Sequence, residues 1–369
     1  MEDLGLSRHF GGAYAGRRVL LTGHSGFKGS WLALWLQALG AEVLGLSLDP
    51  PSDPHHLALL GLDLPALRLD LRDAPALERA VMDFAPQAVF HLAAQPLVRA
   101  SYAQPADTFA VNLMGTVNLL QACRRVPGLR AVVVVTSDKC YENREWTWGY
   151  RENDPLGGHD PYSASKGCAE LATAAYRRSF FHAGAGGHPA LVASVRAGNV
   201  IGGGDWGADR LVPDLARAAA AGQTALIRHP QAVRPWQHVL DPLAGYLLLA
   251  WRLIQGRAEL ATAFNFGPAG EGNLSVAELA ARMAAEWPAV RFAIDPDGQG
   301  LHEAASLRLD SSLAAVRLGW RPVWDEAEAV ARTAQWHRAW HEQGLVLSAA
   351  QLKDYCRRAS QLGLIWAAA

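Results

Sequence analysis

Thr22-Gly-His-Ser-Gly-Phe-Lys-Gly29 is the stretch that decides the fold, because of what stands on either side of it. Arg18 to Leu21 before it is a short apolar run. Phe27 to Leu39 after it carries Phe27, Trp31, Leu32, Leu34, Trp35 and Leu39 at helical intervals, with Gly40 placed to cap the end. The glycines therefore join a strand to a helix. Gly23 permits the tight turn, Gly26 lets backbone approach a pyrophosphate, and Gly29 lets helix and strand pack closely, while His24, Phe27 and Lys28 complete the turn. A dinucleotide is the ligand this geometry suits. The next strand, Glu42 to Leu48, ends at Asp49, twenty residues past Gly29, where such a fold places the carboxylate that binds the adenosine ribose. Asp49 favours NAD; Lys28 is the competing signal for a 2′-phosphate. Asp70 and Leu71, at the end of a third strand within Leu67 to Asp73, are placed for the adenine.

Strands and helices alternate through the first two hundred residues: Ala76 to Phe84 helical, Ala88 to Leu92 a strand, Asp107 to Arg125 a long helix, Ala131 to Val135 a strand, Tyr162 to Phe181 a helix, Leu191 to Arg196 a strand. This predicts an α/β protein with a Rossmann-type doubly wound parallel sheet and a smaller C-terminal substrate-binding domain. We place the dinucleotide domain at 17–200, with returning segments near 238–266, the second domain at 201–340, and a helical tail at 341–369.

Ligands collect at the carboxyl edge of such a sheet. Ala93 and Ala94, after the strand Ala88 to Leu92, are small enough for a flat cofactor to lie against them. Thr136-Ser137-Asp138-Lys139 puts four polar residues at the end of a buried strand, a costly arrangement unless it is used. Tyr162-Ser-Ala-Ser-Lys166 supplies a phenol and an ammonium one helical turn apart. A phenol ionises near 10, and a neighbouring cation lowers that value, so Tyr162 is expected to be a base assisted by Lys166. Together with the glycine turn, the pair points to redox chemistry at an alcohol carbon.

The composition offers no rival. Thirty-four basic residues balance thirty-five acidic ones, which gives no bulk charge for nucleic acid or membrane. Cys123, Cys140, Cys168 and Cys356 lack metal-ligand spacing, so no metal site is expected and the thiols read as reduced. No apolar stretch reaches the length of a membrane span, and Met1 to Gly16 lacks the apolar core of a signal peptide, so a cytoplasmic protein is expected.

The glycine turn, the Tyr-x-x-x-Lys pair and Asn112 in Val-Asn-Leu-Met-Gly-Thr116 resemble the extended short-chain dehydrogenase/reductases that act on nucleotide sugars. Longer motifs resemble, within that family, the 4,6-dehydratases of CDP-glucose: His91-Leu-Ala-Ala-Gln-Pro-Leu-Val-Arg99, Thr136-Ser-Asp-Lys-Cys-Tyr-Glu-Asn143, Asp160-Pro-Tyr-Ser-Ala-Ser-Lys-Gly-Cys-Ala-Glu170, Arg196-Ala-Gly-Asn-Val-Ile-Gly-Gly-Gly-Asp-Trp206 and Arg234-Pro-Trp-Gln-His-Val-Leu240. The resemblance implies a redox-neutral elimination. Tyr162 deprotonates the sugar 4-hydroxyl as hydride leaves C4 for NAD, the C5 proton becomes acidic, water leaves C6, and the same hydride returns to C6. Ser137 then bonds the 4-oxygen and Asp138 protonates the departing hydroxyl. Where the dTDP-glucose dehydratases carry a glutamate as C5 base this chain has Lys139, with Glu142 as its rival. Arg234, Arg210, Asn199, Gln95 and His302 are the residues expected on the nucleotide sugar, since a diphosphate calls for guanidinium and amide partners. The family pairing through its two long helices implies a homodimer or a dimer of dimers. A 4-epimerase is the alternative within the fold, and a non-catalytic NAD sensor the alternative outside enzymology.

Overall fold

The computed structural model describes residues 4–268, 274–295 and 306–368. Seven parallel strands form the main sheet. In chain order they are β1 (Arg18–Thr22), β2 (Glu42–Ser47), β3 (Ala66–Arg68), β4 (Ala88–His91), β5 (Ala131–Val135), β6 (Leu191–Ala197) and a late strand, Ala263–Phe266. Their spatial order is late strand, β6, β5, β4, β1, β2, β3, so the order in which strands are added reverses between β1 and β4. Ligands bind at such a switch point. β5 shows why the sheet lies inside: Ala131 to Val135 is an unbroken run of small and β-branched residues, every one of them buried.

Helices cover both faces. Phe27–Ala38 packs one face with Trp31, Leu32, Trp35 and Leu36, all fully buried. Leu240–Ile254, apolar around most of its circumference, lies in the same core layer and leads into the late strand. On the other face Leu77, Val81, Leu119, Leu120 and Val126 close a second core over β4 and β5. The helix expected from Asp107 to Arg125 starts at Pro105 and is not uniform. It runs α to Phe109, takes a π turn through Ala110–Met114, and resumes as α from Gly115 to Cys123. The π turn carries Asn112, which accepts the Gln95 N–H at 2.8 Å and donates to Ser165 Oγ at 2.9 Å. A widened turn at such a residue is a common functional device.

Beyond residue 200 the strands come in short pairs: Val200–Ile201 with Gln237–His238, Val233–Arg234 with Leu274–Ser275, and Thr224–Ile227 with Arg291–Ile294. Trp236, Leu279, Met283, Trp287 and Val330 form their core. The C-terminal helix Ser348–Gln361 packs into the core of the large sheet. Tyr355 donates to Asp241 Oδ1 at 2.8 Å, and Trp366 stacks on Phe10 with ring centres 5.1 Å apart. Gly202-Gly203-Gly204 is clasped between helices: Trp31 Nε1 donates to Gly203 O at 2.8 Å, and a Cβ on Gly203 would fall 1.9 Å from the Trp336 ring.

Candidate active site

A cleft of about 770 Å³ opens at the carboxyl edge of the sheet, between it and the short-stranded part of the chain. The glycine turn forms its floor. A Cβ on Gly23 would lie 2.6 Å from the Ala93 nitrogen, and one on Gly29 would lie 2.0 Å from Gly23 O, so neither position has space for a side chain. The helix that follows begins at Gly26 with no side chain capping its first-turn N–H groups. Free donors behind a floor without side chains are what a pyrophosphate requires, so the residues present fit a dinucleotide.

Gly23, Gly26, Phe27, Lys28, Gly29, Asp49, Asp70, Leu71, Ala93 and Ala94 all line the cleft, as do Ser137, Asp138, Lys139, Tyr162, Lys166, Asn199, Arg210 and Arg234. Two expected residues, His24 and Gln95, do not. The His24 side chain turns under β2, where a Cβ on Gly45 would meet its ring at 2.6 Å. Gln95 is spent on the local chain, accepting the Leu97 N–H at 2.6 Å and donating to Thr108 Oγ1 at 2.9 Å. His302 lies outside the described residues. Asp49 is exposed at the mouth in a two-pronged pair with Arg68, at 2.7 and 2.8 Å. Asp70 is held in the same way by Arg72.

At the other end stand the residues expected to move protons. Asp160 caps the helix Pro161–Ser179, accepting the Ser163 N–H at 2.9 Å, and this places Tyr162 and Lys166 on the buried face. Burial pushes the Tyr162 phenol up to about 12, with the Ser137 hydroxyl opposing the shift. This reverses the expected direction. Removal of the phenolate from water outweighs any help from Lys166, whose Nζ points to Val135 O at 3.4 Å. Burial likewise pushes the Lys166 ammonium down to about 8, with Glu170 opposing it. Asp138 is 3 % exposed; its carboxyl is raised first by burial, against Lys139, Ser137 and Lys28. Its Oδ1 accepts from Ser137 Oγ at 2.9 Å, and its buried Oδ2 has no partner. Lys139 is partly buried and lines the cleft. Glu142 is exposed, does not line the cleft, and pairs with Arg144 at 3.1 Å.

Lys28 stands elsewhere than the sequence suggested, and Asp205, Glu170 and Arg196 had no role assigned from sequence. Lys28, pushed down to about 8 chiefly by burial, has Asp138, Arg210, Lys166 and Asp205 as its charged neighbours, so it faces the proton-transfer end and not the ribose end. Asp205, 5 % exposed, holds Arg210 at 3.0 Å. Beneath the strand end, Glu170 and Arg196 form a buried ion pair at 2.8 Å. A sequence signal for that pair existed: an arginine inside the apolar strand Leu191–Ala197 cannot stay unpartnered.

The chain belongs to the NAD-dependent epimerase/dehydratase family, whose model matches residues 19–261. It is a member of a class of nucleotide-binding enzymes that use NAD. A CDP-glucose 4,6-dehydratase of Salmonella typhimurium is 48% identical over 348 residues, covering 93% of this chain and 97% of that protein. Among solved structures, a dTDP-glucose 4,6-dehydratase of Streptomyces venezuelae with NAD bound is 29% identical, with a TM-score of 0.71 over 88% of this chain and 98% of that one. A UDP-glucose 4-epimerase of Thermus thermophilus in complex with NAD is 27% identical, with a TM-score of 0.72 over 87% and 99%.

Proposed function

We propose that this protein is a CDP-glucose 4,6-dehydratase, converting CDP-glucose to its 4-keto-6-deoxy product and water. The observation that carries the reading is the run Ser137-Asp138-Lys139 at the cleft edge beside Tyr162: an acid and a base that oxidation at C4 alone, or epimerisation there, would not need. The similarity to the Salmonella enzyme over nearly the whole of both chains supports the same substrate.

NAD, when bound, supplies a hydride acceptor for C4 and returns the same hydride to C6. The protein's own groups move the protons. Tyr162 takes the proton of the 4-hydroxyl, and Ser137, whose hydroxyl reaches both Tyr162 and Asp138, bonds the 4-oxygen. Burial raises the Asp138 carboxyl above the usual carboxylate range and so favours the protonated form, which can hand its proton to the departing C6 hydroxyl. Lys139 removes the C5 proton and later returns it; Glu142, exposed and paired with Arg144, is the weaker candidate. Arg210, Arg234 and Asn199 hold the diphosphate. Glycine-turn residues, with Asp49, Asp70 and Leu71, hold the dinucleotide.

Residues 17–200, with the returning segments, would form the dinucleotide domain and 201–340 the sugar-nucleotide domain. Among the described residues no helix is long and apolar enough to cross a membrane, which suits a cytoplasmic enzyme. Met114 and Leu171, exposed on the two long helices, support pairing of two copies there. Incubation with CDP-glucose and mass spectrometry of the product tests the assignment. A product one water lighter is expected; a product of unchanged mass with altered C4 stereochemistry would make the protein an epimerase.

A further inference from the structure

Glu170 stands on the helix Pro161–Ser179, one turn past Lys166 and two past Tyr162 on the same buried face. Its carboxylate is fully engaged. Thr136 Oγ1 donates to Oε1 at 2.5 Å, while Ser194 Oγ and Arg196 Nη2 donate to Oε2 at 2.7 and 2.8 Å. These partners sit on different elements, the end of β5 and the middle of β6. Arg196 also donates to Tyr141 Oη at 2.6 Å and to the Glu152 carbonyl at 3.1 Å. Both charges are at most 3 % exposed. A buried ion pair adds little to stability compared with apolar residues of the same size, so its presence beneath a proton-transfer site calls for another use. Thr136 directly precedes Ser137-Asp138-Lys139. Among the described residues Lys166 has no carboxylate in an ion pair, and its Nζ reaches Val135 O at 3.4 Å. Of the titratable groups around it, Tyr162 shares its helix, Lys28, His91 and Cys140 face it from neighbouring elements, and Glu170 is the nearest source of negative charge on its own helix.

We propose that Glu170 is a positioning residue of the proton-transfer set: its fixed negative charge keeps Lys166 an ammonium, and its bond to Thr136 fixes the strand end that presents Ser137, Asp138 and Lys139. Arg196 holds the carboxylate ionised. Burial acts against that ionisation, but the guanidinium and the two hydroxyls keep Glu170 below the usual carboxylate range. The direction of the effect follows. Lys166 loses its proton near pH 8 in the folded protein, and withdrawal of the neighbouring negative charge makes that loss occur at lower pH.

The inference rests on the dehydratase reading for its kinetic readout alone. Holoenzyme saturated with NAD is prepared as the parent, Glu170→Gln, Glu170→Asp and Glu170→Gln/Arg196→Gln. The pH dependence of kcat/KM for CDP-glucose is then compared. Glu170→Gln should move the alkaline limb toward acid by about one pH unit, the scale of one charge at helix-turn distance. Glu170→Asp, which keeps the charge, should leave that limb within a few tenths of a unit even if its melting temperature falls. An alkaline limb of Glu170→Gln that superimposes on the parent's overturns the proposal. If Glu170→Gln alone does not fold, the double variant is compared with Arg196→Gln instead of with the parent, so that the Glu170 charge is again the one difference. A second readout needs no sugar: the nitrogen NMR titration of the Lys166 ammonium, assigned by difference against Lys166→Met. Its midpoint should fall in Glu170→Gln, and an unmoved midpoint would reduce Glu170 to packing. Should the parent fail to turn over CDP-glucose, the functional reading falls, while this titration still decides the role of Glu170.

Discussion

The raised pKa of Tyr162 makes the phenol a poor base until something else arrives, and this can be measured. In the protein alone the phenol is pushed up to about 12. Ionising it at pH 8 costs about 5 kcal/mol, four units at about 1.4 kcal/mol each. A unit cation about 5 Å away, at an effective dielectric near 20, returns about 3 kcal/mol. The oxidised nicotinamide ring is such a cation and its reduced form is not. Binding of NAD should therefore lower the phenol by about two units, with NADH producing far less. About 2 kcal/mol remains uphill with NAD bound, because Lys166 is already in place in the protein whose phenol stands at about 12. The assay is an ultraviolet pH titration of the NAD and NADH complexes, with Tyr162→Phe subtracted. Identical midpoints in the two complexes would refute the electrostatic account.

Lys139→Met should abolish entry of solvent deuterium at C5 of the sugar, and Glu142→Gln should leave it intact; the reverse pattern would transfer the base role to Glu142. Asp138→Asn, which cannot protonate the C6 hydroxyl, should lower kcat by about 10²- to 10⁴-fold while NADH absorbance accumulates, because oxidation at C4 precedes the blocked step. Gly29→Ala would set a Cβ 2.0 Å from Gly23 O, so NAD affinity measured by calorimetry should fall at least tenfold, on the order of 1.4 kcal/mol. Asp241 is fully buried, with Oδ2 unpartnered, and burial raises its carboxyl to about 7. The folded state thus binds this proton more tightly than the unfolded chain. Stability is complete below the unfolded value near 4 and falls as pH rises to about 7, by on the order of 4 kcal/mol. Asp241→Asn should melt above the parent at pH 8 and lose that advantage at pH 4; an equal difference at both pH values would contradict this.

Most of what the sequence determined is local in origin. The glycine spacing, the apolar period after Phe27 and the unbroken β5 run each follow from the conformations open to a few neighbouring residues, so the strand–turn–helix unit and the parallel order were legible in them. The pairing of Tyr162 with Lys166 was legible for the same reason, since i and i+4 share a helix face. Tertiary structure decided the energetics and the selection. His24 and Ser25 look alike as turn residues, yet only packing against Gly45 sends the histidine away from the cleft. Gln95 was lost to backbone partners that exist only once the loop is folded. The sign of the Tyr162 shift, the exposure of Glu142 and the Glu170–Arg196 pair depend on how much water residues far apart in the chain exclude. Desolvation is a property of that whole neighbourhood, which no short window of sequence contains.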